Sequence, residues 1–185
     1  MPAIERPTSL VFDLDPGEGS DVFSCVEVAF LIKSIFDQLR LQAFPKVSGS
    51  KGLQIYVPLN TRATYSNTQP AARSIAALLA RQYPELVVSE MDKSVRRKRV
   101  LIDWSQNSAF KTTAGVYSLR AKRPAPFVSM PVTWDELEQA RKQRDATLLD
   151  FPPEAAIERL EGLGDLFEPV RTLKQKLPSA LRDPG

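Results

Sequence analysis

Apolar and polar positions along the chain sort into short strands separated by longer helical stretches. Ser9-Leu10-Val11-Phe12-Asp13-Leu14 is an apolar run of strand formers, and Asp15-Pro16-Gly17 closes it as a turn. Val22, Cys25, Val26, Ala29, Phe30, Ile32, Ile35, Phe36 and Leu39 then recur at steps of three and four. That spacing predicts a buried amphipathic helix running to about Arg40, with Asp21 or Ser20 as its N-cap. Phe44-Pro45-Lys46-Val47 leads into Ser48-Gly49-Ser50-Lys51-Gly52, and residues 53–59 read as the next strand.

A second helix is expected over 68–82, with Pro70 in its first turn. Val87-Val88 reads as a short strand and 100–104 as a longer one. Residues 112–120 alternate loosely and end as a strand, whereas 121–131 is proline-interrupted and irregular. Thr133 caps a helix over 134–144, and Glu136 completes a capping box. Residues 148–151 read as an extended tether, and Pro153 opens a last helix to about Leu160. The pattern predicts an α/β (α+β) domain over 1–178, with fraying after Lys176 and a flexible tail at 179–185. No internal repeat or low-complexity block appears.

Composition narrows the chemistry. The chain has 185 residues, 43% apolar and 25% charged, enough for one domain with a real core. A net charge of +3 permits an anionic partner without demanding one. There is no histidine, which removes histidine metal sites, histidine bases and Ser-His-Asp triads together. The single Cys25 excludes a disulfide framework and lies in an apolar helical run, as a buried thiol. No signal peptide and no bilayer-length apolar run is visible, so no membrane partner is expected and the default compartment is cytoplasmic.

Three stretches carry candidate chemistry. Asp13 and Asp15 are two apart on a strand and share a face, where two carboxylates repel unless a cation sits between them. Hard oxygen ligands in that arrangement suit Mg²⁺ or Mn²⁺, although acids also occur before Pro-Gly as plain turn residues. The small residues of Ser48–Gly52 free backbone N–H groups which, with two hydroxyls and one ammonium, can cradle phosphates. The P-loop spacing is absent, and a plain hairpin turn is the other reading. Asp103 is a lone acid inside an apolar strand, costly to bury unless paired or bound to a cation. It follows the densest basic run, Lys93-Ser94-Val95-Arg96-Arg97-Lys98-Arg99, which by itself reads as a solvated face.

Asp13-Leu14-Asp15, Ser48-Gly49-Ser50-Lys51-Gly52, Ile102-Asp103 and Tyr117-Ser118-Leu119-Arg120, in that order, resemble the polymerase/primase domain of bacterial DNA ligase D. That family belongs to the archaeo-eukaryotic primases and acts in end joining. The resemblance runs from about Ile4 to Leu177, and Glu5-Arg6-Pro7 and Val132-Thr133-Trp134-Asp135-Glu136-Leu137 add to it. It implies a primase-type core with a mostly antiparallel sheet flanked by helices. It implies template-dependent nucleotidyl transfer onto DNA ends with Mg²⁺ or Mn²⁺. By the resemblance Asp13 and Asp15 bind two metals and Asp103 holds the catalytic one. Ser48, Gly49, Ser50, Lys51 and Gly52 receive the triphosphate, and Arg96 and Arg120 stand near its phosphates.

Two departures shape the expectation. The family has a histidine where this chain has Gln54, which can donate to a phosphate oxygen but carries no charge. The family also has a long N-terminal portion before the acid pair, and this chain begins only a few residues before it. The expected partners are a nucleoside triphosphate, DNA ends, a DNA ligase, an end-binding protein and a separate chain supplying the missing half. The chain is then a fragment, one half of a split polymerase, or a reduced relative with weak extension of its own. The rival from another class is a nucleotide- or DNA-binding module that has lost catalysis. A metal-dependent nuclease fits the acids but gives the Ser-Gly-Ser-Lys loop no task.

Overall fold

The computed structural model describes residues 6–122 and 124–182. Its main sheet is made of β1 (Ser9–Pro16), β2 (Phe44–Val47), β3 (Leu53–Pro58), β4 (Val87–Val88) and β5 (Val100–Asp103), in the order β2-β3-β1-β5-β4. All neighbours are antiparallel except β4 and β5. The first apolar run is therefore the central strand. Alternation sorts it into two faces: Leu10, Phe12 and Leu14 are fully buried, while Val11, Asp13 and Asp15 point the other way.

The apolar face is covered by α1 (Val22–Gln38) and α2 (Tyr65–Gln82). Asp21 caps α1, its carboxylate accepting the Ser24 N–H at 2.9 Å. Phe12 meets Phe36 of α1 at 5.8 Å between ring centroids, and burial of a Phe of this kind is worth about 2–3 kcal/mol. A hairpin of β6 (Leu119–Arg120) and β7 (Phe127–Val128) leads to α3 (Trp134–Gln143), which has the expected Thr133–Glu136 capping box. Then come α4 (Pro153–Leu163), α5 (Glu168–Thr172) and α6 (Ser179–Arg182). α5 returns to the opposite face of the sheet, where Phe167 and Val170 pack on Tyr56.

Several boundaries differ from the sequence reading. α2 starts at Tyr65, so Pro70 is its sixth residue and not in its first turn; Thr64 is the N-cap, its carbonyl accepting from Asn67 and Thr68. α1 stops at Gln38 because Arg40 takes a left-handed conformation, φ 55°. β5 ends at Asp103, whose carboxylate caps a 3₁₀ turn over Trp104–Gln106. Only Leu119–Arg120 of the span 112–120 is a strand, since Tyr117 has φ 62° and breaks the extended run. Residues 121–131 are not wholly irregular, because β7 lies within them. Ala146–Leu149 is a 3₁₀ turn in place of a tether, and α4 continues to Leu163. The start of the expected tail is ordered as α6, where Leu181 packs against the core; residues 183–185 lie outside the described residues. Among the described residues no helix is long and apolar enough to cross a membrane.

Candidate active site

Register places the site. In the antiparallel pairing of β1 with β3, Asp13 stands opposite Gln54, and in that of β1 with β5 it stands opposite Asp103. β2 adds Lys46 opposite Gln54. Directly opposed residues of a sheet share a face, so Lys46, Gln54, Asp13 and Asp103 form one row across four strands. Asp15 lies two residues further along β1, on the same face. Sequence separation is bridged by hydrogen-bond register alone.

The row is electrostatically unbalanced. Asp13 has its carboxyl pushed up to about 7, chiefly by burial, then by the negative charges of Asp15 and Asp103; a Gln54 hydrogen bond and the Lys46 charge pull the other way. Asp15 is raised too, by burial and by Asp103, against the Arg96 guanidinium. Lys46 is completely buried, and its amine is pushed down to about 7 by that burial and by Arg120, while Asp13 raises it. Gln54 is also buried, with the Tyr56 hydroxyl donating to its Oε1 at 3.3 Å. The Gln54 side chain also hydrogen-bonds the Asp13 carboxyl.

A cleft of about 380 Å³ opens over these groups. Asp13, Asp15, Ser48, Ser50, Lys51, Gln54, Arg96 and Arg120 all line it, together with Lys122 and the segment 112–114. Among the described residues, four cationic side chains from three separated segments thus face one carboxylate pair. Gly49 and Gly52 lie behind the loop, facing a neighbouring hollow. Gly49 takes φ +69° against the β6–β7 hairpin. Ser48 organises the loop: its hydroxyl accepts the N–H groups of Ser50 and Gly52, each at 3.2 Å. Two of the amides expected to be free for phosphate are therefore already bonded. Arg96 is held by a hydrogen bond from its guanidinium to the Met91 carbonyl, and its Nε is buried without a partner among the described residues.

Asp13 and Asp15 fit a divalent cation on the structure's own terms. They are an acid pair with burial against them and, among the described residues, no direct ion pair, the condition a hard cation relieves. Asp103 fits less directly. Its Oδ1 accepts from Ser105 N–H at 2.9 Å and Ser105 Oγ at 2.6 Å, and its Oδ2 from Gln106 Nε2 at 2.9 Å. Among the described residues no three acidic, cysteine or histidine side chains converge as a ready metal cage. The backbone brings Asp103 beside Asp13, but its carboxylate is turned into its own cap and lies outside the cleft lining.

Sequence reasoning missed Lys46, Tyr56, the 112–114 wall and Lys122. Asn107 was missed as well. Its side chain donates to the Val11 carbonyl at 2.7 Å and accepts the Val11 N–H at 2.9 Å, standing in for a strand partner beyond the end of β5. Only the positions of Lys46 and Tyr56, next to named strands and the loop, offered a signal.

Residues 1–167 match the family described as LigD, primase-polymerase domain. This chain belongs to that family. It is 40% identical over 163 residues to the multifunctional non-homologous end joining protein LigD of Mycolicibacterium smegmatis, covering 88% of this chain and 20% of the relative. The bifunctional LigD of Bacillus subtilis is 31% identical over 163 residues, 88% of this chain and 26% of that protein. Among solved structures, the polymerase domain of Mycobacterium tuberculosis ligase D, in complex with DNA, superposes with a TM-score of 0.81 at 39% identity. That match covers 91% of this chain and 56% of the solved one. The chain thus spans about a fifth to a quarter of the LigD proteins it matches, and just over half of the solved polymerase domain. The mixed sheet and flanking helices are the LigD polymerase-domain fold.

Proposed function

We propose that this chain is the catalytic core of a nucleotidyltransferase that adds nucleotides to DNA ends during end-joining repair, using Mg²⁺ or Mn²⁺. The observation that carries the reading is the cleft itself: an acid pair short of positive charge, faced by Lys51, Arg96, Arg120 and Lys122. A nucleoside triphosphate with a divalent ion has the complementary charges. DNA enters the reading through relatives, since the solved neighbour is in complex with DNA and the curated ones are end-joining proteins.

Each group then has a task. Asp13 and Asp15 would hold the metal, and Asp103 would join them on release from its cap. Bound there, the metal would sharpen the priming hydroxyl and offset charge on the leaving pyrophosphate. Lys51, Arg96 and Arg120 neutralise the phosphates and fix them in line for attack. Ser48 holds the loop that carries Lys51. Gln54 orients Asp13 more than it meets phosphate, because its side chain hydrogen-bonds that carboxylate.

Lys51→Ala should weaken Mn²⁺–triphosphate binding by about tenfold in calorimetry, the worth of one charge-assisted hydrogen bond. Unchanged affinity would remove the loop from the phosphate site. Gln54→His should change extension by about tenfold or less, since one donor replaces another against the same carboxylate. A gain of a hundredfold would show that residue 54 meets the phosphates directly. Primer extension on a recessed DNA end with Mn²⁺ tests the whole reading. The observation favouring a non-catalytic binding module is the capped Asp103. Triphosphate binding without extension would establish that alternative, and degradation of the primer would point to a nuclease.

A further inference from the structure

Lys46 is a buried cation in the middle of an edge strand. Packing alone does not require its charge, because an uncharged side chain of similar length would fill the same space. A buried ammonium is costly unless its protons are used. Here Nζ donates to the Ala114 carbonyl at 3.2 Å and to Ser129 Oγ, and stands 5.8 Å from the centroid of the Tyr56 ring. Ser129 Oγ in turn donates to the Val47 carbonyl at 3.1 Å.

The two acceptors belong to different parts of the cleft. Ala114 is in the wall 112–114, which has no helix or strand of its own. Ser129 follows the β6–β7 hairpin, which carries Arg120. Among the described residues, the other hydrogen bond from the sheet to that wall runs from the Tyr56 hydroxyl to Thr113 Oγ1, at 3.2 Å. We infer that Lys46 is a positioning residue: its ammonium fixes the 112–114 wall and the Arg120 hairpin together, and so sets the width of the cleft between Arg120 and the acid pair. The placement stands on the contacts alone; only the nature of the ligand rests on the function proposed above.

The test compares Lys46→Met and Lys46→Arg with the unaltered chain, well below the unfolding temperature. One arm follows amide exchange at Tyr117 and Ser129, whose N–H groups bond to the Ser129 and Ser118 carbonyls, against Phe12 and Ile55 of the central strands. The other measures Mn²⁺–ATP binding by calorimetry. Lys46→Met should speed exchange at Tyr117 and Ser129 by about tenfold, leave Phe12 and Ile55 unchanged, and weaken Mn²⁺–ATP by about tenfold. Lys46→Arg, which keeps charge and donors, should recover part of both. A purely structural lysine would lower the unfolding temperature and leave the affinity of the folded protein intact, which overturns the inference. If the unaltered chain does not bind Mn²⁺–ATP, the polymerase reading fails and the exchange arm decides: acceleration confined to Tyr117 and Ser129 sustains the positioning role, and uniform or absent acceleration ends it. Should Lys46→Met not fold, Tyr56→Phe removes the other tie and should accelerate the same two amides; no acceleration there overturns the inference.

Discussion

Asp13→Asn should abolish nucleotide transfer and at the same time stabilise the metal-free fold. The first effect follows from losing one of the two carboxylates placed to hold the cation, worth several kcal/mol, or about 10³-fold in rate. The second follows from the Asp13 carboxyl, held at about 7 against an ordinary 3.8. Between those values the folded protein binds a proton there that the unfolded chain does not. Stability from this group is therefore fully present below about pH 4, is lost as pH rises to about 7, and stays low above it. Asparagine keeps the shape and removes the charge. The variant should match the unaltered protein below about pH 4 and exceed it near pH 8 by about 2 kcal/mol, below the ceiling that the shift sets because Asp13 keeps some contact with water. For a chain of this length that is roughly 4–8 °C in Tm. Saturating Mn²⁺ should narrow the gap by stabilising only the unaltered protein. The Lys46 amine, lowered to about 7, adds the opposite slope above pH 7, and Asp13→Asn also removes the charge that raises it. An Asp13→Asn protein less stable than its parent at pH 8 would mean that the site already holds a compensating charge.

That double effect marks where sequence reasoning reaches and where it stops. The period-two pattern of β1 was enough to put Asp13 and Asp15 on one face, and the 3.6-residue pattern of α1 enough to predict a buried amphipathic helix. The capping residues Asp21 and Thr133 are local chemistry and were legible from a few neighbouring positions. The burial of Lys46 was not legible, although its place beside the loop was, because lysine is by default a solvent-facing residue. Its burial depends on the 112–114 wall and the segment after β7 folding back over it, Ala114 and Ser129 lying 68 and 83 residues further along. The same holds for Gln54. Its place beside the phosphate loop suggested a phosphate donor, and the structure adds two partners that the sequence did not show, the Tyr56 hydroxyl and the Asp13 carboxyl. The wall itself has no periodicity, and Tyr117 at φ 62° interrupts the extended run that its sequence suggests. Asp103 shows the division most clearly: pairing put it opposite Asp13, but Ser105 and Gln106, local residues with donors to spare, decide where its oxygens point.

Gly52→Ala should be the most damaging substitution in the loop, more so than removal of the Lys51 charge. A Cβ at residue 52 would overlap the Leu14 carbonyl oxygen and come to 3.6 Å from Asp15 Oδ1. The obstacle is backbone of the central strand, which cannot rotate away as a side chain can. The Leu14 oxygen is also anchored on the other side, where the Cys25 thiol donates to it at 3.6 Å from α1. Relief must therefore come from the loop, by moving it off β1. That movement breaks the Gly52 N–H to Ser48 Oγ bond and the Ser48 N–H to Gly52 carbonyl bond, at 3.2 and 3.0 Å, and carries Lys51 away from the acid pair. Overpacking of this kind costs about 3 kcal/mol, or roughly 6–12 °C in Tm for a chain of this size. Triphosphate affinity should fall by more than the roughly tenfold expected of Lys51→Ala, because the whole loop is displaced. Gly162→Ala is the control. It lies exposed in α4 with nothing within 4 Å of its Cβ position, and alanine there should be neutral or stabilising by about 0.5–1 kcal/mol. A Gly52→Ala protein that melts with its parent and binds triphosphate equally well would show that the loop does not rest on β1, and that the distance from Lys51 to the acids is set by something other than this contact.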